Sequence, residues 1–352
     1  SKATTTTKRN SHRPETSVTD LSQLRAELDA GHTSSVALTE AAIARAEDPD
    51  GEGARVFIAH AGGRAHVEAE ASDRLRAAGL VPSPIAGLPI SVKDLFDVTG
   101  EVTTAGSRTL SNNAAAERDS AVVARLRRAG AVIIGRTNMT EFAYSGIGIN
   151  PHFGTPSDPW DRATGRIPGG SSSGAAISVT DGMAAAAIGT ETGGSVRIPA
   201  ALTGLTGFKS TTGRVPLDGV FPLSHTLDSA GPLAPSVACC AVLDAIMAGL
   251  PPEPPPAMAV EGLRLAVPQR LVLDHLDTVV AETFSRTLTR LSQAGARIVD
   301  IPFTELAEIP DAMVNGGVLG AEAHALHRAR IAASGELVDP RVRVRIMRGE
   351  DL

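Results

Sequence analysis

The sequence predicts an α/β fold, a sheet with helices on both faces, and three observations carry that prediction. Residues 88–92 form a short apolar run bracketed by Pro82, Pro84 and Gly87, which suits a buried strand. Residues 120–134 read as a helix capped by Ser120, with Val122, Val123 and Leu126 on its apolar face, a stop at Gly130 and a strand from Ala131 to Ile134. Residues 278–301 repeat the plan: Val279, Phe284, Leu288 and Leu291 share a helical face, Gly295 stops the helix, and Ile298 to Ile301 form a strand. Helix–strand alternation of this kind asks for a sheet covered on both sides.

The elements follow in order. Residues 1–20 are polar, lack the apolar stretch of a secretory signal and read as a disordered tail. Residues 21–80 read as a helical segment: Asp20 or Ser22 caps a first helix, and Ser34 or Ser35 a second with Val36, Leu38, Ala42 and Ile43 at helical spacing. Residues 81–352 form the remaining core. Within them, residues 251–256 are a proline-rich surface crossing, and Cys239 and Cys240 sit on a helix capped by Ser236. His324 and His327 read as one helix face, not a metal site. Residues 342–348 close the chain as a charged helix-like run.

Composition bounds the function. The 352 residues carry 33 Lys plus Arg against 39 Asp plus Glu, a net charge of −6, which argues against a nucleic-acid partner. No apolar run reaches the length of a membrane span. Aromatic residues are only 3%, so Ala and aliphatic side chains must fill the core. The two cysteines are adjacent and cannot staple distant segments, so a reducing, cytoplasmic compartment is the expectation. Only four residues are lysine: Lys2, Lys8, Lys93 and Lys209. A chain that otherwise uses arginine for its cations needs a reason for a lysine at the end of an apolar strand, as Lys93 is.

Residues 165–195 stand apart, with eight Gly and five Ser in 31 residues. They open with Pro168-Gly-Gly-Ser-Ser-Ser-Gly174, continue through a small-residue apolar stretch, 175–188, fit for a buried helix, and end in Gly189-Thr-Glu-Thr-Gly-Gly-Ser195. Gly-rich turns can aim backbone N–H groups into a cavity, where they suit a phosphate or the oxyanion of acyl transfer. A phosphate loop would need a Gly-Lys-Ser/Thr ending, which is missing. Residues 170–174 formally fit the Gly-x-Ser-x-Gly nucleophile elbow, but Arg166-Ile-Pro168 is poor strand chemistry for the strand that motif requires. The third reading is a serine nucleophile served by a lysine, and Lys93 fits it.

Here the sequence resembles the amidase signature family, serine hydrolases that cleave carboxamides. The motifs that carry the resemblance are Gly-Gly-Ser-Ser-Ser-Gly at 169–174, Gly-Gly-Ser-Val-Arg at 193–197 with a 24-residue step from Ser171 to Ser195, Leu-Pro-Ile-Ser-Val-Lys-Asp at 88–94, Arg-Thr-Asn-Met-Thr-Glu-Phe at 136–142, Asn150-Pro151, Pro159-Trp160 and Leu-Asp-Ser-Ala-Gly-Pro at 227–232. The resemblance spans roughly residues 20 to 350. It implies an amidase-signature fold, a mixed central β-sheet covered by helices on both faces, with the family's usual C-terminal part apparently lacking. It also implies Ser195 as nucleophile, Ser171 as a bridging serine after a cis peptide bond, and Lys93 as general base, kept neutral by burial.

Backbone N–H groups of Thr192, Gly193, Gly194 and Ser195 would hold the oxyanion, and Ala143-Tyr144 would wall the acyl site or simply pack in the core. Arg197 would bind an acidic substrate or form a buried structural ion pair, and Ser195 could also cap a helix. Asp94 and Asp228 are expected to bond backbone or orient loops. Glu191 stands where the family often has Asp, a change expected to be tolerated.

The implied activity is hydrolysis of a linear carboxamide to carboxylate plus ammonia or amine, with no metal or organic cofactor, a small-molecule substrate, and a possible homodimer. Two other classes remain: a protein like the A subunit of a glutamine-dependent amidotransferase, or a truncated, weak or inactive remnant. Ile198 follows Arg197 where the amidotransferase branch usually has Gln, which favours a free hydrolase.

Overall fold

The computed structural model describes residues 18–352; residues 1–17 of the expected tail lie outside that range. The chain begins with α1 (Leu21–Asp29), α2 (Ser35–Ala46) and the short α3 (Gly53–Val56), then β1 (Phe57–His60) and α4 (Gly62–Ala77). The sheet continues through β2 (Pro89–Lys93), α5 (Ala121–Arg128), β3 (Val132–Thr137), α6 (Ser173–Thr180), β4 (Ala186–Glu191), α7 (Arg197–Thr203), β5 (Thr206–Gly207) and β6 (Ser229–Ala234). Beyond α8 (Val237–Ala248) come β7 (Arg264–Pro268), α9 (Thr278–Gln293), β8 (Arg297–Ile301), α10 (Ile309–Ala312), α11 (Gly317–Ser334) and α12 (Pro340–Met347).

Six strands form a mixed sheet in the order β1-β3-β2-β4-β6-β5, and β7 and β8 form a separate parallel pair. At the centre, β2 runs parallel to both neighbours, β3 and β4, while β1 and β6 pair antiparallel outside them. Alternation along β2 sets the two faces. Ile90 and Val92 join Ile133, Ile188, Val122, Leu126, Leu243 and other buried apolar residues under α1, α5 and α8. Ser91 points the other way, to Ser178 of α6 at 2.8 Å. Lys93, two residues on, is carried toward the side on which the chain enters α6. On that face Val132 and Ile134 pack with Ala42, Val56, Ala65 and Ile177.

The expected caps are present: Asp20 on α1, Ser34 on α2, Ser120 on α5 and Ser236 on α8. Three expectations need correction. The segment read as wholly helical contains β1, an edge strand whose four residues are too few to establish a period of two. The stretch 175–188 is not one helix: α6 stops at Thr180, Gly182 turns in the left-handed region, and the chain returns as β4. All eight residues of α6 are buried, so its sequence carries no polar face to mark its ends. Ser195 caps nothing: the residue before α7 is Val196, and no side chain of that position bonds the helix.

Candidate active site

Lys93 ends β2, and Thr190 lies near the end of the parallel neighbour β4, so both occupy the carboxyl end of the sheet, where open α/β sheets place their ligand crevices. Lys93 is completely buried. Its Nζ donates to Ser171 Oγ at 2.7 Å and to Thr190 Oγ1 at 2.9 Å, and lies 3.5 Å from the Thr190 carbonyl oxygen. Burial pushes the amine down to about 7, against the pull of the Asp228 and Glu191 carboxylates, which favour the ammonium. The lysine is therefore poised between its two protonation states near neutrality.

Ser171 is held from several sides. The Gly170–Ser171 peptide is cis. The Ser171 carbonyl accepts from Thr140 N–H at 3.0 Å, and Gly170 N–H donates to the Gly146 carbonyl at 2.8 Å. Gly170 is required by contact: a Cβ there would stand 2.6 Å from the Gly148 nitrogen. Ser172 N–H donates to the Ser195 carbonyl at 3.2 Å, which ties the serine-rich turn to the loop after β4. Lys93 and Ser171 thus meet directly, and Ser195 is joined to the turn through backbone.

That loop, Thr192 to Ser195, is anchored at both ends. Thr192 Oγ1 donates to Asp228 Oδ1, and Asp228 Oδ2 accepts from Leu223 N–H at 2.8 Å and Ser224 N–H at 3.0 Å. Glu191, fully buried, accepts from the N–H groups of Val196 and Arg197 at 2.9 and 3.0 Å, so its carboxylate caps α7 from below. Gly193 is exposed with no atom within 4 Å of where a Cβ would lie, so this part of the loop faces open space. Gly194 has φ +126°, a backbone state that favours glycine, and a Cβ there would meet Ile198 at 2.6 Å.

Arg197 is neither free nor buried. Its side chain is 58% exposed and pairs with Glu191, Nε donating to Oε1 at 2.6 Å. The Glu191 ion pair is thus formed at the surface and not in the buried setting expected for a structural pair. Ala143 and Tyr144 are buried beside Phe142, Leu95, Met139 and residues of α11 and α12. Phe142 and Ala143 both adopt positive φ, 51° and 60°, just after the Thr140 that bonds Ser171. Asp94 is buried, accepts from Gly106 N–H at 3.1 Å and from Thr104, and pairs with Arg136, while Asp228 bonds backbone and loop as expected. Among the described residues no group of three or more His, Cys, Asp or Glu is placed to hold a metal ion, and no helix is long and apolar enough to cross a membrane.

Sequence reasoning missed Thr190 as the second partner of Lys93, although it lies inside the run that drew attention. His327, read with His324 as one helix face, lies on α11 but is fully buried, with its ring 4.3 Å from that of Phe142 and Nδ1 2.7 Å from Arg330 Nη1. Nothing in the spacing of His324 and His327 separates a core histidine from a surface one.

Comparison with known proteins agrees with this architecture. The Amidase family model matches residues 37–351, and the chain belongs to that family. A relative, 2-amino-5-chloromuconic acid deaminase of Comamonas testosteroni, is 40% identical over 298 residues, covering 83% of this chain and 63% of the relative. The A subunit of the glutamyl-tRNA(Gln) amidotransferase of Geobacter sulfurreducens is 38% identical, covering 82% and 61%. The chain therefore spans a little over three fifths of the length of these relatives. Among solved structures, an amidase superposes with a TM-score of 0.84 at 35% identity over 95% of this chain and 74% of that one. The peptide amidase of Stenotrophomonas maltophilia gives 0.76 at 29% identity over 94% and 75%.

Proposed function

We propose that the chain is an amidase that hydrolyses a linear carboxamide to carboxylate and ammonia or amine through a Ser195 acyl-enzyme. The observation that carries this reading is the contact between Lys93 Nζ and Ser171 Oγ inside a site where burial brings the amine near neutrality. A neutral amine has one lone pair and two N–H bonds. The lone pair takes the Ser171 hydroxyl proton, while an N–H remains directed at Thr190. Ser171 in turn takes the proton of Ser195, whose oxygen adds to the amide carbon.

The carbonyl electrons move onto oxygen. The N–H groups of Thr192, Gly193, Gly194 and Ser195 meet that oxyanion; one such donor is worth about 3 kcal/mol of transition-state stabilisation. The relay then reverses: Ser171 hands its proton to the leaving nitrogen, the C–N bond breaks, and Lys93 restores the Ser171 hydroxyl. Water deacylates Ser195 by the same path. Ala143 and Tyr144 border the acyl group, and Arg197 stays on Glu191, where it steadies the entry to α7. No metal or organic cofactor is needed for this sequence of transfers.

The amidotransferase reading draws on the relatives from that branch. It requires ammonia to be delivered to a partner, whereas Ile198 after Arg197 favours a free hydrolase. The decisive test is labelling with a fluorophosphonate probe together with ammonia release across a panel of small amides and 2-amino-5-chloromuconic acid, without any partner protein. Labelling that disappears in Ser195→Ala, with ammonia release, supports the hydrolase. Labelling with release only when a partner is added supports the amidotransferase. Well-folded protein that does neither is a non-catalytic remnant.

A further inference from the structure

Taking the hydrolase reading as its basis, we infer that Glu322, on α11, is a positioning residue for the oxyanion loop, acting through Ser224 and Asp228 on Thr192. The connection is continuous. Glu322 Oε2 accepts from the Ser224 hydroxyl and from Thr226 N–H at 3.3 Å. Ser224 is fully buried, and its own N–H donates to Asp228 Oδ2 at 3.0 Å, beside Leu223 N–H at 2.8 Å. The other Asp228 oxygen takes the Thr192 hydroxyl. Two backbone N–H groups thus aim one carboxylate, and that carboxylate fixes the first residue of the loop whose amides face the reacting carbonyl.

The physical need is clear from the loop itself. Gly193 and Gly194 give it little stiffness of its own, and Gly193 is exposed. Donor amides stabilise an oxyanion only when they are held before it forms. Glu191 secures the far end through Val196 and Arg197, and Ser229 Oγ donates to the Glu191 carbonyl at 3.0 Å. The near end has Thr192 on Asp228. Glu322 comes from 98 residues beyond Ser224 in sequence, so the C-terminal helices hold a loop that belongs to the sheet. Asp228 plays a second part because, with Glu191, it is one of the two carboxylates that bear on the Lys93 ammonium.

The test uses Glu322→Gln, Ser224→Ala, Thr192→Val, Asp228→Asn and the double variant Glu322→Gln/Thr192→Val in the whole chain. The readouts are the fluorophosphonate labelling rate and kcat for the amide from which wild type releases most ammonia. Glu322→Gln should slow labelling and kcat about fivefold and Thr192→Val about tenfold, with KM little changed. The double variant should match Thr192→Val, since both changes cut one connection.

KM and the urea midpoint of Glu322→Gln at wild-type values, alongside the lowered kcat, distinguish positioning of the loop from a general structural defect, and the pH profile separates the two carboxylates. Glu322→Gln leaves the acid limb of kcat where wild type has it, whereas Asp228→Asn moves it to lower pH by removing an anion that favours the Lys93 ammonium. Wild-type labelling rates in Glu322→Gln, or losses that multiply in the double variant, overturn the inference. Should Glu322→Gln fail to fold, wild-type rates in Ser224→Ala overturn it equally. If wild type itself is neither labelled nor active, the hydrolase reading fails and takes this inference with it; a labelled wild type with unaffected variants sinks the positioning role alone.

Discussion

The centre of the six-stranded sheet and the β7–α9–β8 unit are written in the same local grammar and end in opposite environments. Both read as helix, glycine stop and strand: α5, Gly130, β3 in one case and α9, Gly295, β8 in the other. Yet β3 is buried along its whole length, and Val122, Val123 and Leu126 of α5 lie in the main core. No residue of α9 is buried; Val279 is 69% exposed and Phe284 39%. Periodicity thus specifies the element and its apolar face, while burial depends on how many neighbours the topology supplies. β3 has a strand on either side and helices above and below; β7 and β8 have each other.

The largest expected effect is at Lys93, the fully buried amine proposed as the general base. Lys93→Met should lower kcat/KM by about a thousandfold or more, while leaving the urea midpoint at pH 7 unchanged or raised, since an apolar side chain of similar size replaces a buried amine. Retained turnover would end the base assignment.

The next largest effect is on stability against pH. The folded amine titrates near 7 and the unfolded one near 10.5. Between those values the unfolded chain binds the extra proton, so wild type gains stability as pH rises, by up to about 1.4 kcal/mol per pH unit, and has lost that gain once pH falls to 7 and below. The difference between wild type and Lys93→Met in urea titrations should trace that slope. A constant difference from pH 7 to 10 would mean the amine is solvated.

Core substitutions sharpen the contrast between the regions. Ile133→Ala, in β3, should cost about 2–5 kcal/mol. Phe284→Ala, on the apolar face of α9, should cost under about 1 kcal/mol. Equal losses would show that α9 is packed as firmly as the sheet. Amide exchange should follow the same order, with β7 and β8 opening before β2 and β3.

Most of this contrast was hidden in the sequence, and particular residues explain why. Local rules found β2, β3, α5 and α9, because caps such as Ser120 and stops such as Gly130 act within a turn of the element they end. They failed at α6, where burial on every side removes the polar stripe that gives a helix its period, and at β1, which is too short to alternate. The site was legible in part. Lys93 announced itself by scarcity and Ser171 and Ser195 by motif, but Thr190 had no signal of its own. Ser224 and Glu322 meet across 98 residues, a pairing that only the folded chain creates. Burial of α9 could not be read at all, since its pattern is that of a helix awaiting a partner.

Asp20, the cap of α1, also accepts from Ser236 Oγ at 2.6 Å and Cys239 Sγ at 3.1 Å, at the start of α8. The partners are separated by 216 and 219 residues. During synthesis Asp20 and α1 leave the ribosome more than 200 residues before the side chains that anchor them. Until those side chains emerge α1 waits without its dock, and closure of so wide a loop belongs to the late, slow part of assembly.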